Sequence, residues 1–536
     1  MERFMIWPAL GGSLLLAIAC KTEAADWPQW RGPNRDGIAS DSPPLAESWP
    51  KEGPAKLWQS EAVPSGQEGN LSSPVVSGGK VFIHVNWRYK EPIVTRTLPD
   101  GGLRNLGWRP EKLPDELLKQ VEEARLSEER AKLGGGELGK WVDAWVAAHL
   151  ATDERKKLTD VVKDRLNRGK DALGPDVLNR LATIKDKTFA TQEELDKWFA
   201  DNGVDGELKK KVNGQIPTTR DLADDVVMCF NAADGKTLWK AKFPGAASAW
   251  DASSTPCVSG NRLYVHGSQK NIYCLDTETG AVVWKNRFSP GNNTASSFLV
   301  EDGLAIVLAG VLSAFDAQTG ELKWKQDKAN GTTPSPHLWK IGDRKCVVCN
   351  SNTGGQVSCV DLKTGDVLWT VPGGSSSSTV AKDDILVVFG ERKEVALAAY
   401  KLAADKAEKA WALAICDRGS SPIIANGYVY AIGGGGAARA VCVDLNTGQP
   451  AWDEKIGNQE ISSPILADGK IFALTDNYSV LAMWKAMPEK FSMLGKFKLP
   501  PVAPCISPAI ADGKLFLRLQ NAITCYDLTA KPEPAQ

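Results

Sequence analysis

The stretch "YCLDTETGAVVW", Tyr273–Trp284, decides the fold because close copies of it recur along the chain. Each copy places an Asp or Asn eight residues before a Trp. The further copies are "MCFNAADGKTLW" (Met228–Trp239), "LSAFDAQTGELKW" (Leu312–Trp324), "VSCVDLKTGDVLW" (Val357–Trp369) and "AVCVDLNTGQPAW" (Ala440–Trp452). The copies ending at Trp239, Trp284, Trp324 and Trp369 follow one another at 40 to 45 residues, and the copy ending at Trp452 comes two such periods later. This period is typical of the blades of a β-propeller.

Each copy predicts a β-hairpin that serves as scaffold. An alternating apolar run ends at the Asp, whose side chain, with that of the Thr, can hydrogen-bond the turn backbone. The Gly that follows takes a positive φ without steric cost. The Trp offers a large apolar surface that can wedge between adjacent blades, with its indole N–H available for a partner.

A second hairpin precedes each copy, as in "SSPVVSGGKVFIHV" (Ser72–Val85). Two hairpins make one four-stranded blade. Blades begin near Ser72, Ser254, Thr294, Thr332, Ser375, Ser420, Ser462 and Ile506. The fifth keeps Trp411 but loses the Asp and the Thr-Gly, and the eighth lacks its outer strand. Because "AKLWQSEA" (Ala55–Ala62) can supply that strand, the sequence predicts an all-β, eight-bladed propeller of four-stranded blades closed by the N-terminal strand.

The β pattern stops between Tyr89 and Asp225, where apolar residues recur at spacings of three and four. Such spacing predicts amphipathic helices, with "LGGGELG" (Leu133–Gly139) as a break. We therefore predict a helical insertion in blade one, projecting from one face of the ring, that either covers the channel mouth or docks a partner. The predicted domains are a signal peptide (1–25), an N-terminal segment with the closing strand and the start of blade one (26–89), the insertion (90–224), the remaining blades (225–529) and a tail (530–536).

These repeats resemble those of the pyrroloquinoline-quinone (PQQ) repeat β-propeller superfamily, which includes quinoprotein alcohol dehydrogenases and the lipoprotein BamB. The opening "DWPQWRGPNRDG" (Asp26–Gly37) is similar to the start of exported PQQ-like propeller proteins. The resemblance covers Trp27 to about Leu528, apart from the insertion. It implies the fold and leaves the activity open, because this fold carries both catalysts and non-catalysts.

Charge and the N-terminus bear on location. The 536 residues have a formal net charge of −1 and no basic tract, which argues against nucleic acid as a partner. Residues 1–25 carry a positive charge at Arg3 that is followed by an apolar run, as in secretory signals. One interpretation is a signal peptide cleaved after Ala19 or near Ala24. The other is that "LAIAC" is a lipobox, with a lipid on Cys20 that would tether the protein to a membrane. Either predicts an exported protein of the periplasm or cell envelope.

Most of the eleven cysteines have a structural explanation. A cysteine two residues before the Asp or Asn of the repeat recurs at Cys229, Cys274, Cys359, Cys442 and Cys525, and buried Cys behaves as a small apolar residue. Cys346 and Cys349 are three apart on a strand, so they should face opposite sides. The pattern favours buried free thiols over disulfides or a zinc site.

Polar residues just before the inner strands should line one channel mouth. The candidates for binding a cofactor are Glu68, Asn70, Trp250, Asp251, Asn293, Asp417, Arg418 and Glu460. Carboxylate and amide oxygens suit Ca²⁺, and a Trp can stack on planar PQQ. Against a quinoprotein, the chain has no adjacent cysteine pair and no CxxCH haem motif. His84 and His266 hold equivalent strand-end positions, which favours structural histidines over a two-histidine metal site.

Two functions remain. The first is a non-catalytic binding or assembly scaffold of the cell envelope, without a cofactor, that contacts protein partners through its rim loops and insertion. The alternative is a PQQ- and calcium-dependent oxidoreductase acting on alcohols or sugars. The sequence favours the scaffold.

Overall fold

Antiparallel sheets, most of them four-stranded, repeat through the larger part of the chain. The computed structural model describes residues 26–64, 71–246, 254–268, 271–288, 296–434, 437–458 and 462–530. It divides the chain into two compact units. The repeat unit runs up to Arg88 and resumes at Ala223, and the insertion unit is Tyr89–Leu222.

The described strands alternate with short turns, as the paired hairpin patterns predict. In chain order they are β1 (Ile38–Ala39), β2 (Ala55–Gln59), β3 (Val75–Ser77), β4 (Lys80–Pro92), β5 (Arg96–Thr97), β6 (Thr188–Phe189), β7 (Thr219–Asn231), β8 (Thr237–Pro244), β9 (Cys257–Ser259), β10 (Arg262–His266), β11 (Asn271–Asp276), β12 (Val282–Arg287), β13 (Leu299–Glu301), β14 (Leu304–Asp316), β15 (Leu322–Gly331), β16 (His337–Ile341), β17 (Arg344–Asn350), β18 (Gln356–Asp361), β19 (Val367–Pro372), β20 (Val380–Lys382), β21 (Ile385–Phe389), β22 (Leu397–Leu402), β23 (Ala407–Leu413), β24 (Ile423–Ala425), β25 (Tyr428–Gly433), β26 (Ala438–Asp444), β27 (Pro450–Gly457), β28 (Ile465–Ala467), β29 (Lys470–Thr475), β30 (Val480–Lys485), β31 (Met493–Lys498), β32 (Ala509–Ala511), β33 (Lys514–Arg518) and β34 (Ile523–Asp527).

The strands of the repeat unit form eight sheets among the described residues, numbered here in chain order. The first is β3-β4-β7-β8 and the next five are β9 to β12, β13 to β15, β16 to β19, β20 to β23 and β24 to β27. The seventh is β28 to β31 with β1 added to its inner strand, and the eighth is β32 to β34 with β2 at its outer edge. Within these sheets, neighbours along the chain pair antiparallel, whereas β1 pairs parallel with β28. These sheets are those of an all-β propeller.

The N-terminal strand pairs with the last strand of the chain. In β2, Ala55 lies opposite Asp527 and Trp58 opposite Cys525. The segment that has no partner near it in the sequence therefore supplies the outer strand that the eighth sheet lacks.

The repeated Trp forms the junction between neighbouring sheets, as predicted. Trp284 donates its indole N–H to the carbonyl of Ala317 in the next sheet, at 3.0 Å. Its ring lies against Gly320, where an added Cβ would come within 2.5 Å of the ring. Gly320 also has a φ of +74°, so the Gly of the motif both makes the turn and receives the preceding Trp. Trp58, Trp239, Trp324 and Trp411 repeat the arrangement.

The Asp of each motif holds its turn together. Asp276 accepts hydrogen bonds from the main-chain N–H groups of Glu278 and Thr279 and from the Thr279 hydroxyl. Those bonds, led by the Thr279 hydroxyl, hold the pKa of Asp276 below its usual value. The scaffold interpretation of the motif is confirmed.

A further series of hydrogen bonds joins the inner ends of the sheets. In each step the main-chain N–H of a Ser or Thr donates to the hydroxyl of its counterpart in the next sheet, over 2.9 to 3.1 Å. The series passes through Ser73, Thr255, Ser297, Ser335, Ser378, Ser421, Ser463 and Ser507, and Ser507 donates back to Ser73. We call these residues the hydroxyl ring.

The insertion unit is helical, as the spacing of its apolar residues predicts. Its helices are α1 (Asp100–Asn105), α2 (Asp115–Leu126), α3 (Glu128–Ala131), α4 (Gly135–His149), α5 (Asp153–Lys156), α6 (Thr159–Arg168), α7 (Pro175–Ala182), α8 (Gln192–Asp201) and α9 (Gly206–Asn213). Thr152 and Thr191 cap α5 and α8 with their side chains. No helix in the described part of the chain is long and apolar enough to cross a membrane.

Two details of the predicted insertion were wrong. The break at Leu133–Gly139 ends at Gly134, because Gly135 already begins α4. The β pattern also persists further than expected, since β4 runs to Pro92 and β7 starts at Thr219. The main-chain N–H of Ile93 donates to the carbonyl of Thr218, which brings the two ends of the inserted segment together.

Most of the described cysteines are buried. Ten lie in the described residues without a disulfide, and eight of these are buried. All five cysteines of the repeat slot are fully buried, as predicted. Cys346 packs in one apolar cluster and Cys349 in another, which confirms that they face opposite sides of their sheet.

Candidate functional site

The N-terminal segment crosses the inner strands of the repeat unit. Trp27 exchanges two main-chain hydrogen bonds with Val76 of β3, at 2.8 and 2.9 Å. The carbonyl of Pro28 accepts from Val258 of β9, and the carbonyl of Gly37 accepts from Leu466 of β28. Residues 26–39, which we call the plug, thus occupy the inner edges of the first, second and seventh sheets.

Two buried arginines tie the plug to further sheets. Arg31 donates to the carbonyls of Ser421 and Pro422 in the sixth sheet, and Arg35 donates to those of Ser297 and Phe298 in the third. Burial lowers the pKa of each to about 10, so both guanidinium groups stay charged at neutral pH. Each also has a positive φ, of 63° and 59°. This strained conformation is held because the sheets supply the carbonyl acceptors.

The plug borders a small central cavity. The cavity is about 110 Å³ in volume, and Trp30 of the plug lies on its wall. The rest is lined by Ser297, Ser335, Ser378 and Ser463 of the hydroxyl ring, together with residues such as Leu71 and Gly419. Drug-sized and cofactor sites usually occupy about 300 Å³ or more.

Only two of the eight candidate cofactor-binding residues lie in the described part of the chain. Glu68, Asn70, Trp250, Asp251, Asn293 and Glu460 lie outside the described residues, as does Cys20. Asp417 accepts hydrogen bonds from the main-chain N–H groups of Gly419 and Ser420, at 2.7 and 2.5 Å. Burial nevertheless raises its pKa. The carbonyl of Arg418 accepts from Ser376 in the neighbouring sheet. These two residues shape the loop between their sheets.

The described residues contain no group of three or more His, Cys, Asp or Glu side chains arranged to hold a metal ion. The one described carboxylate of the predicted set, that of Asp417, already accepts two loop N–H groups.

The two candidate metal-binding histidines lie in different inter-sheet spaces. Nδ1 of His84 faces the carbonyl of Ser254 at 3.4 Å, and Nδ1 of His266 faces that of Ser296 at 3.3 Å. Since a carbonyl only accepts, both Nδ1 atoms carry the proton. Burial lowers the pKa of His266 to about 4, so this side chain is neutral. The arrangement is that of structural histidines at strand ends.

Sequence reasoning missed a third member of this series. Arg518 follows its hydroxyl-ring residue by eleven positions, as His84 and His266 follow theirs. Its Nη1 lies 3.5 Å from the carbonyl of Ser72, the counterpart of Ser254. Aligning the inner hairpins on their hydroxyl residues would have revealed the shared position. Burial lowers the pKa of Arg518 to about 9.

Asp225 is a buried carboxylate with several hydrogen bonds, and sequence reasoning missed it too. It is fully buried and accepts from the Ser268 main chain and hydroxyl, Tyr273 and Asn86. His84 Nε2 lies 3.6 Å from Oδ1, at ion-pair rather than hydrogen-bond distance. Burial would raise the pKa of Asp225, but His84 and the Ser268 bonds outweigh it and hold the pKa below its usual value. Asp225 therefore clamps the first sheet to the second.

Comparison with known proteins agrees with the repeats. A family model described as "Outer membrane protein assembly factor BamB" matches residues 223–382 and 374–487, which is just under half of the chain. BamB of Burkholderia pseudomallei is 34% identical over 32% of this chain. The chain spans only 47% of the length of that relative. The repeats of this chain are therefore BamB-like PQQ repeats.

Two further proteins are similar to this chain. The quinohemoprotein alcohol dehydrogenase of Comamonas testosteroni is 28% identical over 27% of this chain and 24% of its own. The crystal structure of BamB from Moraxella catarrhalis has a TM-score of 0.46 at 13% identity, covering 58% of this chain and 90% of that one. The match to the dehydrogenase covers a smaller share of either chain than the match to the Burkholderia BamB.

Proposed function

We propose that this protein is a non-catalytic scaffold of the cell envelope that supports the assembly of outer-membrane proteins. The observation that carries the proposal is the match of residues 223–487 to BamB. The site agrees with it, since Asp417 and the plug arginines serve structural hydrogen bonds. The scaffold acts as a rigid ring that presents loops and an insertion to protein partners.

The proposed ring has eight blades and is closed. Two observations support closure. The hydroxyl ring returns to Ser73 after eight steps, and β2 adds to the last sheet by pairing with β34. A closed ring leaves no sheet without a neighbour. Such a scaffold holds its loops in position without a ligand.

The proposed partner contacts are the rim loops and the insertion unit. The protein is exported and reaches the envelope, either free or with a lipid on Cys20. The insertion unit has its own buried clusters, one around Leu103 and Phe199 and another around Val121 and Val162. A segment with its own core can fold as a module and carry a contact surface.

The test removes the insertion and measures assembly in the organism that encodes the protein. Replacing Val94–Pro217 by Asn-Gly joins ends that already share the Ile93–Thr218 hydrogen bond with a favoured hairpin turn. Loss of the whole protein is expected to lower the amount of β-barrel proteins in the outer membrane. The full chain should restore it, and the shortened chain should melt as one cooperative unit but restore less. Unchanged outer-membrane protein levels in the deletion strain would contradict the scaffold.

The quinoprotein alternative is tested by direct titration. The match to an alcohol dehydrogenase is the observation that favours it. Purified protein is titrated with PQQ and Ca²⁺ while absorbance and melting temperature are followed. A scaffold gives no saturable shift. A saturable shift abolished by Asp251→Ala or Glu68→Ala would replace the scaffold proposal by a dehydrogenase.

A further inference from the structure

A groove lies between the plug and the inner strands of the third, fourth and fifth sheets. Its volume is about 400 Å³, within the range of ligand-binding clefts. Gln29 and Asp36 of the plug line one side. The other side is formed by β13, β16 and β20, through residues that include Val300, Leu338 and Ala381.

His337 lines this groove with an unused acceptor. The side chain is 96% buried, and its Nε2 lies 3.1 Å from the carbonyl of Ala381. Because that carbonyl only accepts, Nε2 carries the proton and Nδ1 is left as an acceptor. Nδ1 has no hydrogen-bond partner among the described residues. Burial lowers the pKa of His337 to about 4, so protonation does not remove this acceptor near neutral pH. A buried acceptor without a donor is costly.

The inner strand β16 presents a main-chain edge along the groove. Leu338 follows its hydroxyl-ring residue, Ser335, by three positions, as Val76 follows Ser73 in the first sheet. At Val76 both main-chain groups point away from the sheet and bond to Trp27 of the plug. The plug covers the inner edges of the first, second and seventh sheets in this way, and it shows how an extended chain binds such an edge.

The charges at the groove favour an acidic ligand. Lys340 and Lys382 are exposed at its rim, and neither has an ion-pair partner among the described residues. Of the two acidic residues at the rim, Glu301 pairs with Lys345 at 2.5 Å, and Lys345 also pairs with Asp302 at 2.6 Å. The other, Asp36, lies where the charges of Arg31 and Lys382 act on it. The unpaired charge that remains is positive.

We propose that this groove binds an extended peptide segment with acidic side chains. The peptide adds as a strand to the inner edge of β16, where the main-chain groups of Leu338 take the role that Val76 has toward Trp27. The acidic side chains of the peptide pair with Lys340 and Lys382. The inference does not depend on the assembly function, because the groove can bind such a segment from any partner.

The probe is a fluorescently labelled, end-capped peptide, Val-Glu-Val-Glu-Val, titrated with the full-length protein by anisotropy. Val-Lys-Val-Lys-Val tests charge, and the acidic peptide N-methylated at its central valine tests main-chain pairing. The rim variant combines Lys340→Glu with Lys382→Glu. The matched control variant combines Lys409→Glu with Lys496→Glu, which lie on outer strands. Leu338→Pro removes the outward N–H without removing a sheet hydrogen bond, and its melting temperature checks that it folds.

We expect saturable binding of the acidic peptide only. The rim variant should bind about tenfold more weakly, whereas the control variant should match the unmodified protein. N-methylation and Leu338→Pro should each weaken binding by about the same factor. The proposal is overturned if the acidic and basic peptides bind alike, if the rim variant binds normally, or if the acidic peptide gives no saturable signal.

Discussion

Two neighbouring junctions differ: the one between the third and fourth sheets and the one between the fourth and fifth sheets. Each has a Trp at the same position of the repeat, but the two indoles meet different surroundings. Trp324 donates to the carbonyl of Leu362 at 3.0 Å and lies on Gly365. Trp369 is equally buried, yet its indole N–H has no partner among the described residues. The fifth sheet lacks the Asp and the Thr-Gly that the other turns supply. The contrast separates the contribution of the Trp to the stability of a junction from the contribution of the turn that it packs against.

The fourth sheet compensates with a second Trp. Trp339 of β16 donates to the carbonyl of Asp383 in the fifth sheet at 2.8 Å. It also meets Trp369 edge-on, with ring centroids 6.1 Å apart. The junction therefore keeps one indole hydrogen bond to the next sheet, made from the inner strand instead of the outer one.

The largest effect is expected at the Gly of a regular junction. Gly320→Ala should destabilise the protein by about 3 kcal/mol or more, because the new Cβ meets the Trp284 ring at 2.5 Å in addition to the cost of a positive φ. Gly342→Ala is the control, since Gly342 also has a positive φ, of 54°, but has no atom within 4 Å of the Cβ position. It should lose only about 1 to 2 kcal/mol. Urea unfolding of both variants measures the difference, and equal losses would show that the Gly serves the turn alone.

The next effect tests the junction between the first and second sheets, which the buried carboxylate of Asp225 clamps. Asp225→Asn should destabilise the protein by about 3 kcal/mol near neutral pH, because it removes the charge that faces Ser268 and His84. The pKa of Asp225 lies below its ordinary value of 3.8 when folded. Its contribution is therefore present above that value and is lost as the pH falls through the folded pKa.

The pH profile provides the check on this clamp. Urea unfolding of the Asp225→Asn variant and of the unmodified protein should differ most near neutral pH and converge below pH 3.8. Asp276→Asn is the matched control, because Asp276 lies in an exposed turn and its replacement should destabilise the protein less. A difference for Asp225→Asn that does not change with pH would contradict an ionised Asp225.

Much of the repeat unit could be predicted from the sequence, because its turns and wedges use local signals. The Asp276 turn, the Trp284 wedge and the buried Cys274 slot all follow from residues within twelve positions. The plug could not be predicted in this way. Arg31 reaches Ser421, which is 390 residues away, and no periodicity connects them. The same holds for Asp225, whose partners Ser268 and Tyr273 lie in the next sheet.

The paired Trp variants measure the indole hydrogen bond itself. Trp324→Phe removes the hydrogen bond to Leu362. It should therefore lower the free energy of unfolding by about 1 kcal/mol more than Trp369→Phe, because the Trp369 indole has no such bond to lose. Both variants lose similar buried area, since the two side chains are 9% and 6% exposed. Thermal unfolding of the two proteins side by side gives the difference. Equal costs would mean that the indole N–H contributes nothing at a regular junction.

Grafting the regular turn into the fifth sheet should repair the irregular junction. Cys359 pairs with Trp369 and Ala399 with Trp411, so the fifth turn is two residues longer than the fourth. Replacing Lys401–Ala410 by the sequence of Asp361–Leu368 restores the length, the Asp and the Thr-Gly. The new turn gives Trp369 a carbonyl and a Gly surface, and stability should rise by about 1 kcal/mol. Changing the Gly of the grafted turn to Ala should remove the gain in stability, because the indole ring of Trp369 needs the Gly surface. A graft that leaves stability unchanged would show that Trp339 already supplies all that this junction requires.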